Sequence, residues 1–226
     1  MPPPRTIAVG DVHGCSKALD ALIKAIAPAA DDTVVMLGDY VNRGPDSRGA
    51  LDALAGLRRR CRLVPILGNH DEMLLQARAW LPKKTAAKRA DDAPAPPAGR
   101  NWGRELPKLS AANIAFLESC VPYFETETHV FVHAAYDPAL PMSRQPEILL
   151  RWHSLRDGVP RAHYSGRLVI AGHTAQKSGE VLNLGHIVCI DTNCHGGGWL
   201  TALDVASGKL WQADRGGKLR GRRGAK

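Results

Sequence analysis

The sequence predicts an α/β fold built on a largely parallel sheet with helical crossovers. Three observations point to it. Short apolar runs alternate with helix-like segments through the first third of the chain. Five apolar runs end on a polar side chain able to bind a cation, four of them through a glycine. Beyond residue 119 the chain turns strand-rich.

Thr6-Ile-Ala-Val9 reads as the first strand, and Ser16 to Ile26 as a helix with Leu19, Leu22, Ile23 and Ile26 on one face. Thr33-Val-Val-Met-Leu37 is the second strand, followed by a helix from Ser47 to Arg59 carrying Leu51, Leu54 and Leu57. Leu63-Val-Pro-Ile-Leu67 is the third strand, and a further helix starts near His70. This β-α-β-α-β order requires crossovers and hence parallel pairing. Residues 81–108 break the pattern with five prolines among alanines and charges, the composition of a mobile loop that could gate access. Ser110 is placed to cap a helix over Ala111–Ser119. Strands follow at His129–Val132, Arg167–Ala171, His186–Ile190 and Trp199–Val205, the last joined to Lys209–Ala213 by a Gly turn.

The 226 residues fit one large domain, and no apolar run approaches the ~20 residues that span a bilayer. With no leader pattern at Met1–Arg5, a cytoplasmic protein is expected. Five cysteines, an odd number without Cys-x-x-Cys spacing, predict free thiols. The net charge of +8 suggests nucleic acid until it is located. Residues 215–226 hold six basic residues and no acid, and residues 83–100 hold five basic residues against two aspartates, so the body is close to neutral. Nucleic-acid binding is therefore not expected beyond loose polyanion contact by a disordered basic tail.

The run ends carry the chemistry. Ile-Ala-Val-Gly10 leads into Asp11-Val-His13, Val-Met-Leu-Gly38 into Asp39, and Pro-Ile-Leu-Gly68 into Asn69-His70-Asp71. Val130-Phe-Val132 leads into His133, and Val-Ile-Ala-Gly172 into His173. Ligands of open α/β sheets bind beyond the carboxyl ends of the strands, so Asp11, His13, Asp39, Asn69, His133 and His173 should share one rim. Asp11 and His13, two apart in extended chain, would face the same side. Oxygen and nitrogen donors without thiolate suit Mn²⁺, Fe or Zn²⁺, and six donors suit a pair of ions sharing one carboxylate. His129, His153, His163, His186 and His195 lack the strand-end setting and are expected in surface or structural roles. Trp199 and Trp211 read as packing residues, and Asp191 as a turn former.

The strings Gly10-Asp-Val-His-Gly14, Gly38-Asp-Tyr-Val-Asn-Arg-Gly44, Gly68-Asn-His-Asp71, Val132-His-Ala134 and Gly172-His-Thr174 closely resemble the PPP-type (calcineurin-like) metallophosphatases. The resemblance runs from about residue 6 to 213, with the motifs in family order. It implies a two-sheet β core flanked by helices within a domain of residues 1–214. It implies two divalent ions, Mn²⁺ first: Asp11, His13 and Asp39 hold one, and Asp39, Asn69, His133 and His173 the other. His70 matches the general acid and Arg43 a phosphate-binding arginine. A second arginine is expected at Arg151, with Arg156 its rival. The chemistry implied is attack on phosphorus by hydroxide from a water shared by ions roughly 4 Å apart. Asn42 stands where the protein phosphatases carry Asp, and its oxygen is expected to accept the Nδ1 hydrogen of His70. Ala175 replaces a histidine of the nuclease branch. The implied activity is phosphoric monoester hydrolysis by a serine/threonine protein phosphatase. The alternative is a dinucleoside polyphosphate hydrolase, and a non-catalytic polyanion-binding metalloprotein ranks below both. The implied partner is a phosphorylated protein or a nucleotide, with no membrane.

Overall fold

A computed structural model describes residues 3–86 and 102–221. Two five-stranded mixed sheets pack face to face with helices outside them. In the first sheet β1 (Thr6–Val9), β2 (Thr33–Met36) and β3 (Arg62–Pro65) run parallel in that order. They are connected by α1 (Ser16–Ile26) and α2 (Ser47–Leu57), as the alternating pattern requires. The hairpin of β9 (Trp199–Asp204) and β10 (Leu210–Asp214) closes its edge antiparallel to β1, giving the order β10-β9-β1-β2-β3.

The second sheet is built from β4 (Tyr123–Glu125), β5 (His129–Val132), β6 (Leu168–Ala171), β7 (Leu182–Asn183) and β8 (Ile187–Cys189) in the order β4-β5-β6-β8-β7. β5, β6 and β8 are its parallel centre. The short edge strands β4 and β7 carry little periodicity and escaped the sequence reading. So did α6 (Glu147–Trp152), whose six residues are under two turns.

Strand pleating explains why these runs are apolar throughout. Ile7 and Val9 of β1, and Val34 and Met36 of β2, point into the cluster under the helices. Ala8 and Val35 point the other way, meeting Phe131, Ile170 and Val188 of the second sheet. Val130, Val132, Val169 and Ala171 fill the outer layer of that sheet. A strand buried on both faces reads as a continuous hydrophobic run, and its carboxyl end emerges between two packed layers.

α3 (Asn69–Ala86) begins at the site, and α5 (Ala111–Glu118) starts at Ser110, whose hydroxyl accepts the Asn113 amide in a full capping box. The loop expected over 81–108 is helical at both ends, through Ala86 and again in α4 (Trp102–Glu105) with a 3₁₀ turn over Leu106–Lys108. Its middle, 87–101, lies outside the described residues, as do residues 222–226 of the expected tail. Residues 215–221 fold back: the Arg220 amide bonds to Gln212 O, and its guanidinium reaches Glu180 at 2.5 Å and stacks over Trp199. All five cysteines are free, and no helix among the described residues is long and apolar enough to cross a membrane.

Candidate metal centre

Asp11, His13, Asp39, Asn69, His70 and His133 are buried at the carboxyl ends of β1, β2, β3 and β5, and His173 stands half-buried after β6. Asp39 lies at the centre. One carboxylate oxygen is 3.4 Å from His13 Nε2 and the other 3.5 Å from His133 Nε2, so the side chain faces two groups of donors at once. Among the described residues, the groups close enough to hold an ion are His13, Asp39 and His70 on one side, and Asp39, His133 and His173 on the other.

Close backbone approach makes this possible. A Cβ on Gly68 would stand 2.2 Å from the Asp39 carboxylate, and one on Gly172 would stand 2.2 Å from that of Asp11. Gly68→Ala is expected to push Asp39 aside and cost about 10² in kcat/KM, the usual penalty for misplacing a reacting group by an ångström. Steady-state kinetics on the folded variant measure this, and full activity would show that the approach is dispensable. Asp71 fixes the same loop: its carboxylate accepts the amides of Asp39, Tyr40 and Gly68 at 2.8–3.1 Å. Among the described residues seven non-glycine residues have positive φ, and all but Ala27 lie in or beside the site: His13, Asp39, Asn42, Arg43, His173 and Asn193. Backbone strain is thus concentrated where side chains must be aimed. The φ of +45° at His13 also corrects the expectation of an extended Asp11–His13 segment. The chain turns there, and both oxygens of Asp11 accept the His173 amide at 3.1 Å.

Two features test the fit to cations. His13 Nδ1, His133 Nδ1 and His173 Nε2 donate to the carbonyls of Val41, Leu37 and Trp152 at 3.2, 2.7 and 3.2 Å. The opposite nitrogen of each ring is left with a bare lone pair, as in ligating histidines. The bare nitrogens of His133 and His173 and the Asn69 carboxamide oxygen lie 3.1–3.2 Å from one another. Three acceptors facing each other repel unless a cation stands among them, and ligands about 2.1 Å from one ion are spaced by about 3.0–3.4 Å. The second feature is charge. Asp11, Asp39 and Asp191 are all buried; burial pushes Asp191 up to about 6, and burial with repulsion from neighbouring carboxylates pushes Asp39 up to about 7 and Asp11 well above the usual carboxylate range. Buried carboxylates cost several kcal/mol each without compensating positive charge. Burial also keeps the imidazoles neutral, with His133 held down to about 4 and His173 to about 3. Neutral imidazoles are ready to ligate, and a bound cation would displace the protons that burial otherwise keeps on the carboxylates.

Several expectations need correction. Asn42 does not meet His70: its oxygen accepts the Arg43 amide at 2.5 Å, and His70 Nδ1 is buried without a partner among the described residues. Burial, then Arg43, holds His70 at about 3. Arg151 does not present a free guanidinium, because it is buried and ion-paired to Glu147 and to Glu72, the latter at 3.3 Å. Its rival Arg156 is exposed and donates to the Ala175 carbonyl. Arg43 stands at the rim, with Nη1 3.4 Å from His195 Nε2. His195 was assigned a bland role, yet its ring lies 4.6 Å from that of His13. Asp191, set aside as a turn residue, follows β8 as Asp39 follows β2, so its signal was visible in Cys189-Ile-Asp191.

The family described as calcineurin-like phosphoesterase matches residues 4–177. The chain belongs to that family. Members use a dimetal site, and this phosphoesterase has two groups of His and Asp side chains close enough to bind metal. A protein of Janthinobacterium sp. (strain Marseille) named bis(5'-nucleosyl)-tetraphosphatase, symmetrical, is 34% identical over 158 residues, covering 65% of this chain and 51% of that one. A protein of the same name from Burkholderia mallei (strain SAVP1) is 46% identical over 75 residues, covering 33% and 26%. The chain thus spans about half the length of the first relative and about a quarter of the second. Among solved structures, a candidate diadenosine tetraphosphatase superposes with a TM-score of 0.70 at 23% identity over 93% of both chains. A protein-tyrosine phosphatase of a psychrophilic Shewanella species gives 0.64 at 16% identity, covering 97% of this chain and 82% of that one. At such identities these two establish the fold. The relatives' names overturn the expectation of a serine/threonine protein phosphatase, because they designate enzymes of dinucleoside tetraphosphates. The internal bonds of such molecules are phosphoanhydrides, not the monoester first expected.

Proposed function

We propose that this phosphoesterase hydrolyses dinucleoside polyphosphates, with two divalent ions held by Asp11, His13, Asp39, Asn69, His133 and His173. The observation that carries the reading is the double donor cage around Asp39, within a region where the sequence relatives are named for that substrate class. Mn²⁺ is the favoured metal, because hard carboxylate and carboxamide oxygens accompany imidazole and no sulfur is among the donors. When bound, the ions neutralise phosphate oxygens and lower the pKa of a coordinated water, providing hydroxide at neutral pH.

The protein's residues supply the rest. Arg43, at the rim, offers its planar fork to the non-bridging oxygens, on which charge accumulates as the anhydride breaks. His70, its ring 4.9 Å from that of His13, is placed to donate an N–H to the oxygen that leaves. Water adds across one P–O–P linkage, its oxygen joining one phosphorus while the bridging oxygen departs with the other half. A nucleoside diphosphate leaves as a stabilised anion and needs little protonation, which suits a His70 without an acidic partner. The Mn²⁺-loaded protein should convert diadenosine tetraphosphate to two ADP, resolved by anion-exchange chromatography. A phosphopeptide is the comparison substrate. Turnover of the phosphopeptide with an intact dinucleotide would contradict the proposal.

A further inference from the structure

Beside the metal centre, a cavity of about 440 Å³ lies between the loop that follows β2 and the segment formed by α4 and its 3₁₀ turn. Its charged lining is Arg43, Asp46, Arg48, Arg104, Glu105 and Lys108. The two acids are already used. Glu105 accepts the Ser47 hydroxyl and the Asn42 amide, the latter at 3.0 Å, and so ties the two walls together. Asp46 caps α2 through the Gly49 amide at 2.8 Å and accepts the Ser16 hydroxyl at 2.9 Å.

The cations are not used in the same way. Arg48 is 3.6 Å from Asp52 in an exposed pair, which binds weakly. The side chains of Arg104 and Lys108 make no ion pair or hydrogen bond among the described residues. The Arg43 guanidinium lies 3.4 Å from His195 Nε2 and belongs to both spaces, since it lines the cavity and also acts on the charges of Asp11 and Asp39. The result is a continuous positive track from the metal centre, over Arg43, into a cavity within the size range of small-molecule sites.

We propose that this cavity is the subsite for the second nucleoside diphosphate half of the substrate, the half that departs. Arg43 and Arg104 bind its phosphates, Lys108 and Arg48 add positive charge, and the nucleoside occupies the remaining volume. The inference rests on the dinucleoside polyphosphate reading and adds to it the position of the leaving group. It also gives a physical reason for preferring a long anionic substrate with a bulky end over a simple phosphate ester.

The test is steady-state kinetics of the full-length, Mn²⁺-loaded chain on diadenosine tetraphosphate, with ADP and inorganic tripolyphosphate as inhibitors. Arg104→Gln and the Arg104→Gln, Lys108→Gln double variant are compared with the parent. KM and the ADP inhibition constant should rise about 10-fold or more, as expected for loss of hydrogen bonds to a charged group, with kcat within about 2-fold. ADP should inhibit the parent more strongly than tripolyphosphate, and the reverse would mean a phosphate track without a nucleoside site. Photolabelling of the unaltered protein with 8-azido-ADP provides a check that does not depend on variants folding. The label is expected on residues 42–48 or 104–109. Unchanged KM and labelling elsewhere, in a parent that hydrolyses the dinucleotide, would overturn the subsite alone. A parent that leaves the dinucleotide intact would remove both the functional reading and the subsite.

Discussion

Replacing Asp39 by Asn is expected to lower kcat/KM on diadenosine tetraphosphate by about 10²–10³ or more, the scale on which a single group that stabilises transition-state charge operates. Asn keeps the shape and the acceptor for the His70 amide, 2.9 Å away, but removes the charge shared between the two donor groups. The accompanying effect on stability has the opposite sign. Burial raises the Asp39 pKa to about 7, so above that pH the metal-free fold must hold an ionised carboxylate close to Asp11 and Asp191. A group whose pKa is raised on folding opposes folding once it ionises. In chelator at pH 8, Asp39→Asn should therefore melt above the parent, while in Mn²⁺ it should melt below it. Thermal unfolding in both conditions decides the matter. A variant that melts below the parent in chelator would show that the carboxylate serves the fold and not a cation.

His70→Asn should cost about 10²–10⁴ in kcat, with the bound metal unchanged, if His70 acts on the leaving oxygen. The geometry also places a ring nitrogen of His70 close to one of His13 and to a carboxylate oxygen of Asp39, so a ligand role makes a different prediction. There the bound metal would fall by one ion per chain together with activity. Element analysis of the purified variant, run beside its kinetics, separates the two. With a nucleoside diphosphate as leaving group, the loss should lie toward the lower end of the range, and p-nitrophenyl phosphate should behave alike. A variant with parental kcat would remove His70 from the chemistry.

The strand-end donors were legible in the sequence because two local signals coincide there. A strand buried on both faces must be an apolar run, and a donor pressed against neighbouring backbone must follow a residue without a side chain. Gly68 before Asn69 and Gly172 before His173 meet this second condition within 2.2 Å of Asp39 and Asp11. What the sequence did not reveal depends on tertiary aim. His195 reaches His13 and Arg43 because Asn193 adopts a φ of +62° and a 3₁₀ turn follows it, which no periodicity reports. Arg151 was expected at the phosphate, but α6 turns it inward to Glu72 on α3, a contact 79 positions away in the chain. The Asn42 oxygen was expected on His70 and is taken by the next residue's amide, in a turn where Asn42 has a φ of +70°. The choice between phosphoprotein and dinucleotide lay outside the site altogether, since both chemistries use the same cage. The relatives decided against the phosphoprotein.

In the proposed centre, six side chains from five strand ends, Asp39 shared among them, hold a pair of cations. Anomalous diffraction from crystals grown with Mn²⁺ tests this most directly. Two peaks per chain are predicted, one between Asp39 and His13 and one among Asp39, Asn69, His133 and His173. No peak there, or a single ion displaced from Asp39, would contradict the account.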